Sequence, residues 1–246
     1  MRGLILAAGR GSRMGTLTED HPKCQVRLHG KALIDWQLAA LRGAGVTDIG
    51  IVRGYMPQAF QYPVTYFENL RWAQTNMVMS LKAAENWLCK DACIVSYSDI
   101  VYGADSVRSL MALPCDIGIT YDPRWLTLWQ RRFERPLDDA ETFRLNGDRL
   151  LEIGHRAVDV ADIQGQYMGL IKLTPTGWGQ MEAYLATLST GDQDKLSMTE
   201  MLQGLLDRDV RINVVPISGR WYEVDSASDL AVYETLPPVD VPVHAW

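Results

Sequence analysis

A loop with three glycines and two arginines follows an apolar run near the N-terminus. Residues 4–8 predict a buried strand, and residues 9–15 form the loop, with Pro22 and Lys23 further along. Glycines let the backbone approach a ligand and point its N–H groups at it, and the arginines and Lys23 add fixed positive charge. These residue types suit a nucleoside triphosphate, although an ordinary tight turn uses the same glycines.

Two commoner phosphate-binding loops do not fit these residues. A dinucleotide-binding fingerprint needs a third glycine where Met14 stands, and a helix that starts at once. A P-loop needs Gly-Lys-Ser/Thr, but Gly30 and Lys31 are followed by Ala32. The loop therefore matches neither of these two classes, and Pro22 and Lys23 at this distance favour a phosphate-binding role over an ordinary tight turn.

Acidic residues lie at the ends of later predicted strands. Asp99 follows the apolar run 92–97, where an unpaired carboxylate is costly to bury; a bound cation would resolve this, and so would a role as a helix cap. Glu223 and Asp225 are two apart on a short predicted strand, so they point to the same face. Ser226 begins a capping-box pattern, which leaves Asp225 free for another task.

The glycine loop resembles the signature of the nucleotidyltransferases that make sugar nucleotides and related activated compounds. The matching letters are LAAGRGSRM followed by PK, and the resemblance extends to about residue 235. Further matching segments are Thr75-Asn76-Met77, Ser96-Tyr97-Ser98-Asp99, Gln166-Tyr167-Met168-Gly169 and Glu223-Val224-Asp225. They are similar to the branch that contains cytidylyltransferases for choline phosphate, for phosphonates and for phosphoryl-glutamine.

This resemblance implies transfer of CMP from CTP to a small phosphorylated or phosphonate acceptor, with Mg²⁺ as cofactor and release of pyrophosphate. By resemblance, Asp99 and Asp225 match the metal-binding aspartates, and Glu223 is a further metal candidate. We assign Lys23 to the α-phosphate and Arg13 to the leaving group, as the catalytic residues. The nucleotide-binding candidates are Leu6, Ala7, Ala8, Gly9, Arg10, Gly11, Ser12, Arg13, Lys23, Gly54, Asn76, Ser80 and Ser98. The alternatives are a transferase for sugar 1-phosphates and a nucleotide-binding regulator without turnover.

Residues 122–163 interrupt the pattern and predict a small antiparallel insertion over the active site, with short strands at 142–145 and 149–153. Trp125 and Trp129 share a helical face, which is typical of core packing but would also hold a cationic head group. Arg131 or Arg132 could instead clamp a carboxylate. The two options predict a choline-like and an amino-acid-like acceptor. The acceptor-binding candidates are Tyr121, Trp125, Trp129, Arg131, Arg132, Gln166, Tyr167 and Gly169.

The order of apolar runs predicts the fold. Runs near 3–8, 48–53, 64–67, 92–97, 116–121, 167–173 and 210–216 read as strands, and helical patterns cover 32–42, 76–88, 105–113, 176–188 and 198–207. This alternation predicts an α/β fold with a mostly parallel, Rossmann-like central sheet and helices on both faces. We expect one domain over residues 1–236, and an extended tail outside the core over residues 237–246.

Composition narrows the class of protein further. The net charge of −6 argues against a nucleic-acid partner, although residues 1–31 carry six basic residues and two acidic ones. No apolar run is long enough to cross a membrane, and the N-terminus leaves no room for a signal peptide before the first strand. The four cysteines lack paired metal-ligand spacing, so a cytoplasmic protein is expected. Analogy with relatives also predicts a homodimer.

Overall fold

The structure, a computed structural model, describes residues 1–239. These residues form the strands β1 (Arg2–Ala7), β2 (Arg27–Leu28), β3 (Lys31–Ala32), β4 (Ile49–Arg53), β5 (Thr65–Glu68), β6 (Cys93–Tyr97), β7 (Ile100–Tyr102), β8 (Ile117–Asp122), β9 (Glu141–Asn146), β10 (Arg149–Arg156), β11 (Gln166–Leu173), β12 (Asn213–Pro216) and β13 (Trp221–Glu223). Nine of them make one sheet, in the order β5-β4-β1-β6-β11-β8-β12-β10-β9. All but β11 and β10 run in the same direction, so the sheet is mostly parallel, as predicted.

The helices of residues 1–239 alternate with these strands. They are α1 (Leu33–Gly43), α2 (Met77–Lys82), α3 (Glu85–Leu88), α4 (Ala104–Ala112), α5 (Trp125–Arg132), α6 (Pro175–Leu185), α7 (Thr190–Lys195), α8 (Met198–Leu206) and α9 (Ala227–Tyr233). In β1, β4 and β6 almost every residue is buried, instead of every second one. Both faces of the central strands are therefore covered, which explains their continuous apolar sequence.

The strands of the expected insertion belong to the central sheet. β9 and β10 form an antiparallel hairpin, and β10 pairs with β12 through Arg149 and Asn213. Phe143, Leu150 and Ile153 are buried, and α8 packs against β10. The hairpin is thus the far edge of the sheet rather than a separate layer, because its apolar residues complete the core between the sheet and α8.

A small two-stranded sheet positions the acidic residues. β7 follows β6 directly and pairs antiparallel with β13, so that Ile100 lies opposite Glu223. The Val224 N–H also donates a hydrogen bond to the Asp99 carbonyl, over 2.9 Å. Residues that are far apart in the chain therefore meet at the carboxyl end of the central strand β6.

Two sequence predictions about local structure differ from the structure. The helix expected over 76–88 is divided into α2 and α3, because Ala84 leaves the helical conformation (φ −101°, ψ 20°). The first residues of the expected tail pack back on the domain. Tyr222 Oη donates a hydrogen bond to the Pro237 carbonyl over 2.6 Å, and Val239 is buried. The rest of that tail, 240–246, lies outside the described residues.

Within residues 1–239, every helix is too short or too polar to cross a lipid bilayer.

Candidate active site

Gly11 sets the course of the loop after β1. Its φ of 74° lies in the left-handed region, where glycine is little strained, and a Cβ atom at this position would lie 2.6 Å from Cβ of Lys23. The Thr18 hydroxyl donates a hydrogen bond to the Gly11 carbonyl over 3.1 Å. The absence of a side chain at Gly11 therefore lets the Lys23 side chain run against the loop and reach the cleft.

Lys23 joins two aspartates that are distant in the chain. Its Nζ donates hydrogen bonds to Asp99 Oδ2 over 2.8 Å and to Asp225 Oδ1 over 2.6 Å. Burial opposes the charge on Lys23, but the two carboxylates outweigh it and raise the pKa of Lys23. Burial also opposes the charge on Asp225, and the cations of Lys23, Arg13 and Arg132 outweigh it and lower the pKa of Asp225. Lys23 and Asp225 are therefore both charged at neutral pH.

Asp99 and Asp225 fit the requirements of a divalent cation. Asp99 Oδ1 is buried and accepts no hydrogen bond from residues 1–239, so one carboxylate oxygen remains available as a ligand. Mg²⁺ is typically bound by one or two carboxylates together with phosphate oxygens and water. The residue types and their placement suit this ion, and Mg²⁺ at this site stays a prediction.

Glu223, the third predicted ligand, is held by a different partner. Its Oε2 accepts a hydrogen bond from Arg132 Nη1 over 2.9 Å. Burial and the neighbouring Asp225 raise the pKa of Glu223, and Arg132 only partly offsets them. The carboxylate oxygens of Glu223, Asp99 and Asp225 do not all lie within 4.8 Å of one another. Asp99 and Asp225 are therefore the better pair for a metal, and Glu223 borders it.

A cavity of about 280 Å³ extends from the glycine loop to the start of α2. Most of the nucleotide-binding candidates line it: Leu6, Ala8, Gly9, Gly11, Ser12, Arg13, Lys23, Asn76, Ser80 and Ser98. Asn76 also caps α2, since its Oδ1 accepts a hydrogen bond from the Met77 N–H over 2.7 Å. The cap interpretation and the binding interpretation of Asn76 are thus compatible.

Three nucleotide candidates lie outside this lining. Ala7 is buried in β1. The Arg10 guanidinium lies 5.8 Å from the ring centroid of Tyr55, on the exposed side of the loop. Gly54 lies behind Trp72, and a Cβ atom at Gly54 would be 2.5 Å from Cβ of Trp72.

The cavity wall includes residues that the sequence interpretation did not select, namely Trp72, Thr75 and Met77. This part of the wall is anchored by α7: Arg71 pairs with Asp194, and the Asn76 N–H donates to the Asp194 carbonyl over 2.7 Å. Thr75 and Met77 flank Asn76 in the segment that resembles the family. This position next to Asn76 is the sequence feature that could have identified both residues.

A second cavity of about 320 Å³ adjoins the first and shares Arg13, Asn76, Met77 and Asp225 with it. Four of the acceptor candidates line it: Trp129, Gln166, Tyr167 and Gly169. Gly169 has a φ of 84° at an irregularity in β11, and a Cβ atom there would lie 2.8 Å from the Tyr97 ring. Gly169 therefore allows Tyr97 to lie against β11 at the cavity wall.

Carboxylates dominate the charge of this second cavity. Asp139, Glu141, Glu223 and Asp225 line it, and Arg13 is the one basic side chain among its described lining residues. Burial raises the pKa of Asp139, although Arg132 and a hydrogen bond from the Trp129 indole, 3.1 Å long, oppose the shift. Burial also raises the pKa of Glu141. The sequence interpretation did not select Asp139 and Glu141 as site residues.

The other acceptor candidates do not reach the second cavity. The Arg132 guanidinium is fully buried among carboxylates, so it does not clamp a ligand. Arg131, one residue earlier in α5, lines a separate cavity beside Trp221. Trp125 is buried with its indole N–H donating to the Ile163 carbonyl over 3.3 Å, and Tyr121 lies behind Phe143, 5.3 Å between ring centroids. Trp125 and Tyr121 thus support the wall from behind.

A glycine loop after the first strand, a lysine between two aspartates and two adjoining cavities define a nucleotidyltransferase site. The comparison with known families agrees with this class, since a family model described as the MobA-like NTP transferase domain matches residues 3–155. The chain belongs to this family.

One similar protein covers nearly the whole chain. It is the CTP:phosphoglutamine cytidylyltransferase of Campylobacter jejuni, 34% identical over 249 residues, which span 94% of this chain and 98% of that protein. The choline-phosphate cytidylyltransferase of Streptococcus pneumoniae is 42% identical over 62 residues, which is 25% of this chain and 27% of that protein.

Solved structures share the fold. The inositol-1-phosphate CTP transferase from T. maritima superposes with a TM-score of 0.76 at 20% identity, and covers 95% of this chain and 93% of its own. The CTP:phosphocholine cytidylyltransferase from Streptococcus pneumoniae has a TM-score of 0.69 at 22% identity, and covers 95% and 97%.

Proposed function

We propose that this protein is a CTP-dependent cytidylyltransferase that transfers CMP to the phosphoryl group of a small amine-bearing acceptor, of the phosphorylated amino-acid type. The observation that carries the proposal is the Lys23 bridge between Asp99 and Asp225 at the glycine loop. The 34% identity with a phosphoglutamine enzyme over 94% of the chain supports the choice of CTP and of this acceptor class.

In the proposed reaction, an acceptor phosphoryl oxygen attacks the α-phosphorus of CTP and forms a new P–O bond. The bond between the α-phosphorus and the bridging oxygen breaks, and pyrophosphate leaves with the electron pair. No general base is needed, because the second pKa of a phosphate monoester is about 6 and its oxygen is already anionic at neutral pH. Cations must instead bring two anions together and stabilise the charge that spreads over the phosphorus.

The residues of the glycine loop and its neighbours supply those cations. In the proposed reaction buried Lys23 would contact the α-phosphate, and Arg13, whose side chain is 72% exposed and lies 3.3 Å from Asp225 Oδ1, would turn toward the leaving pyrophosphate. Asp99 and Asp225 would hold Mg²⁺ beside them. When bound, this ion would neutralise phosphate charge.

The charge of the second cavity supports an acceptor that carries an ammonium group. Asp139 and Glu141 face the cavity, and their carboxylates can accept charge-assisted hydrogen bonds from a ligand ammonium group. The hydroxyl of Thr142 in the same cavity can donate a hydrogen bond to a carboxylate. An amino acid presents both groups, whereas a sugar 1-phosphate presents neither.

The experiment is an assay of pyrophosphate release with each of the four nucleoside triphosphates and with four acceptors: phosphoryl-glutamine, phosphocholine, 2-aminoethylphosphonate and glucose 1-phosphate. We expect turnover with CTP and, among the acceptors, the highest kcat/KM with phosphoryl-glutamine. Turnover with glucose 1-phosphate alone would contradict the proposal. Nucleotide binding without pyrophosphate release would indicate a regulator instead.

The proposal includes a cytoplasmic location, because the reaction consumes CTP and all four cysteines are free thiols. The expected homodimer stays a prediction.

A further inference from the structure

Arg132 is the last residue of α5, and its side chain is completely shielded from solvent. The guanidinium carbon lies 5.0 Å from the ring centroid of Trp129 and 4.9 Å from that of Phe133. Burial opposes the charge, but nearby carboxylates raise the pKa of Arg132. A permanent cation is thus enclosed beside the site without access to a ligand.

This guanidinium contacts three carboxylates. Nη1 donates to Glu223 Oε2 over 2.9 Å, whereas Nε and Nη2 donate to Asp229 Oδ1 and Oδ2 over 3.0 Å and 3.4 Å, and Nη2 also lies 3.6 Å from Asp225 Oδ2. The three carboxylates lie within seven consecutive residues, from the end of β13 to the first turn of α9, and would repel one another without a shared cation. The planar fork of arginine matches this arrangement, which a lysine ammonium cannot reproduce.

Arg132 also acts on the backbone of Asp225 through Asp229. Asp229 Oδ2 accepts hydrogen bonds from the Asp225 and Ser226 N–H groups, each over 3.0 Å. Ser226 in turn caps α9 and receives the Asp229 N–H over 3.2 Å, which completes the predicted capping box. The backbone of Asp225 is therefore fixed by a carboxylate that Arg132 holds.

We propose that Arg132 is the positioning residue that fixes Asp225 and Glu223 at the reacting phosphates. Arg132 also connects these two carboxylates to the wall of the acceptor cavity. The connection to the acceptor cavity runs through α5, because Trp129 of this helix lines the cavity and its indole N–H donates to Asp139. Arg132 itself touches neither substrate. The reaction to which this role applies rests on the proposed function.

The test compares Arg132→Lys and Arg132→Met with wild type. Arg131→Gln is the matched control, because this neighbouring arginine of α5 lies outside the cleft. Two quantities are measured besides thermal unfolding: steady-state kinetics with the nucleotide that wild type uses, and the Kd for Mn²⁺ in the presence of CTP without acceptor, from the electron paramagnetic resonance of free Mn²⁺.

For Arg132→Lys we expect the Kd for Mn²⁺ to rise and kcat to fall, each by about 10- to 100-fold, as is typical when the partner of a metal ligand is lost. The KM for CTP should change by less than about threefold, and Arg131→Gln should match wild type. For the Arg132→Met molecules that fold, we expect the Kd for Mn²⁺ and kcat to change by the same factors or by larger ones.

Several results would overturn the proposal. One is an unchanged Kd for Mn²⁺ together with a fall in kcat that is fully explained by the smaller fraction of folded protein. This result would mean that Arg132 has a purely structural role. Another is Arg132→Lys with wild-type kinetics, and a third is the absence of Mn²⁺ binding by wild type. Mn²⁺ binding by wild type without pyrophosphate release from any nucleotide would instead count against the proposed function.

Discussion

Replacing Lys23 by methionine removes the cation that lies between Asp99 and Asp225. The variant keeps the unbranched part of the side chain that runs along Gly11 but leaves two largely buried carboxylates without their shared partner. Breaking a buried ion pair typically costs about 3–5 kcal/mol, and the exposed fractions of 20% for Asp99 and 13% for Asp225 favour the lower end. For a chain of this size, about 3 kcal/mol corresponds to a fall in Tm of roughly 6–12 °C.

Lys23→Met should also change catalysis and cation binding, and both effects can be measured separately from the loss of stability. Loss of one charge-stabilising donor typically lowers kcat by about 10²–10³-fold, so pyrophosphate release should fall by that amount in the folded protein. Because the ammonium no longer occupies the space between the carboxylates, Mg²⁺ without nucleotide should raise the Tm of Lys23→Met more than that of wild type.

The assay is differential scanning fluorimetry with and without Mg²⁺, paired with pyrophosphate release. Lys31→Met is the control, because Lys31 belongs to the same basic N-terminal segment but packs on Trp36, 4.0 Å from its ring centroid, away from the cleft. An equal Mg²⁺ effect on wild type and Lys23→Met would refute the idea that the two aspartates form a cation site. A kcat within about threefold of wild type would refute the role of Lys23 in charge stabilisation.

Three further substitutions test separate parts of the site. Asp225→Asn should abolish metal-dependent turnover while the protein stays folded, as measured by pyrophosphate release and circular dichroism; near-normal rates would exclude Asp225 as a ligand. Glu141→Gln should raise the acceptor KM by about 10- to 100-fold, the usual worth of a hydrogen bond to a charged group, and leave the CTP KM unchanged; an equal rise in both would place Glu141 outside the acceptor subsite. Trp129→Phe removes the indole N–H that binds Asp139 but keeps the ring, so the acceptor KM should rise several-fold with a small loss of Tm; a change in Tm alone would assign Trp129 to the core.

The sequence was sufficient for the parts of the fold that depend on long apolar runs. β1, β4, β6, β8 and β11 were predicted within one or two residues, because central strands that are covered on both faces have continuous apolar sequences. The short strands β7 and β13 have three residues each, which is too few to form a pattern of their own. They form because each completes the pairing of the other, and that pairing brings Asp99 to Asp225.

The α5 helix shows where the sequence interpretation could have gone further. Trp125, Trp129 and Arg132 follow the spacing i, i+4, i+7 of one helical face, and Arg131 lies on another. This spacing predicts that Arg132 shares the buried face with the two tryptophans. Burial of Arg132 among carboxylates could not be predicted, since Glu223 and Asp229 lie about ninety residues further along the chain.

The choice of acceptor-binding residues depended on which side of the insertion faces the cleft. The hairpin of β9 and β10 extends the central sheet, and this exposes Glu141 and Thr142 to the cavity while Tyr121 and Trp125 support it from behind. No spacing rule in the sequence distinguishes the side chains that face the cavity from those that support its wall.

The most direct test of the account is analysis of the products of one reaction that contains wild-type protein, CTP, phosphoryl-glutamine and Mg²⁺, by ³¹P nuclear magnetic resonance and mass spectrometry. We predict pyrophosphate and a CMP-linked acceptor in equal amounts, with neither product formed by Asp225→Asn. Formation of CDP and free phosphate, or recovery of CTP and phosphoryl-glutamine unchanged, would contradict it.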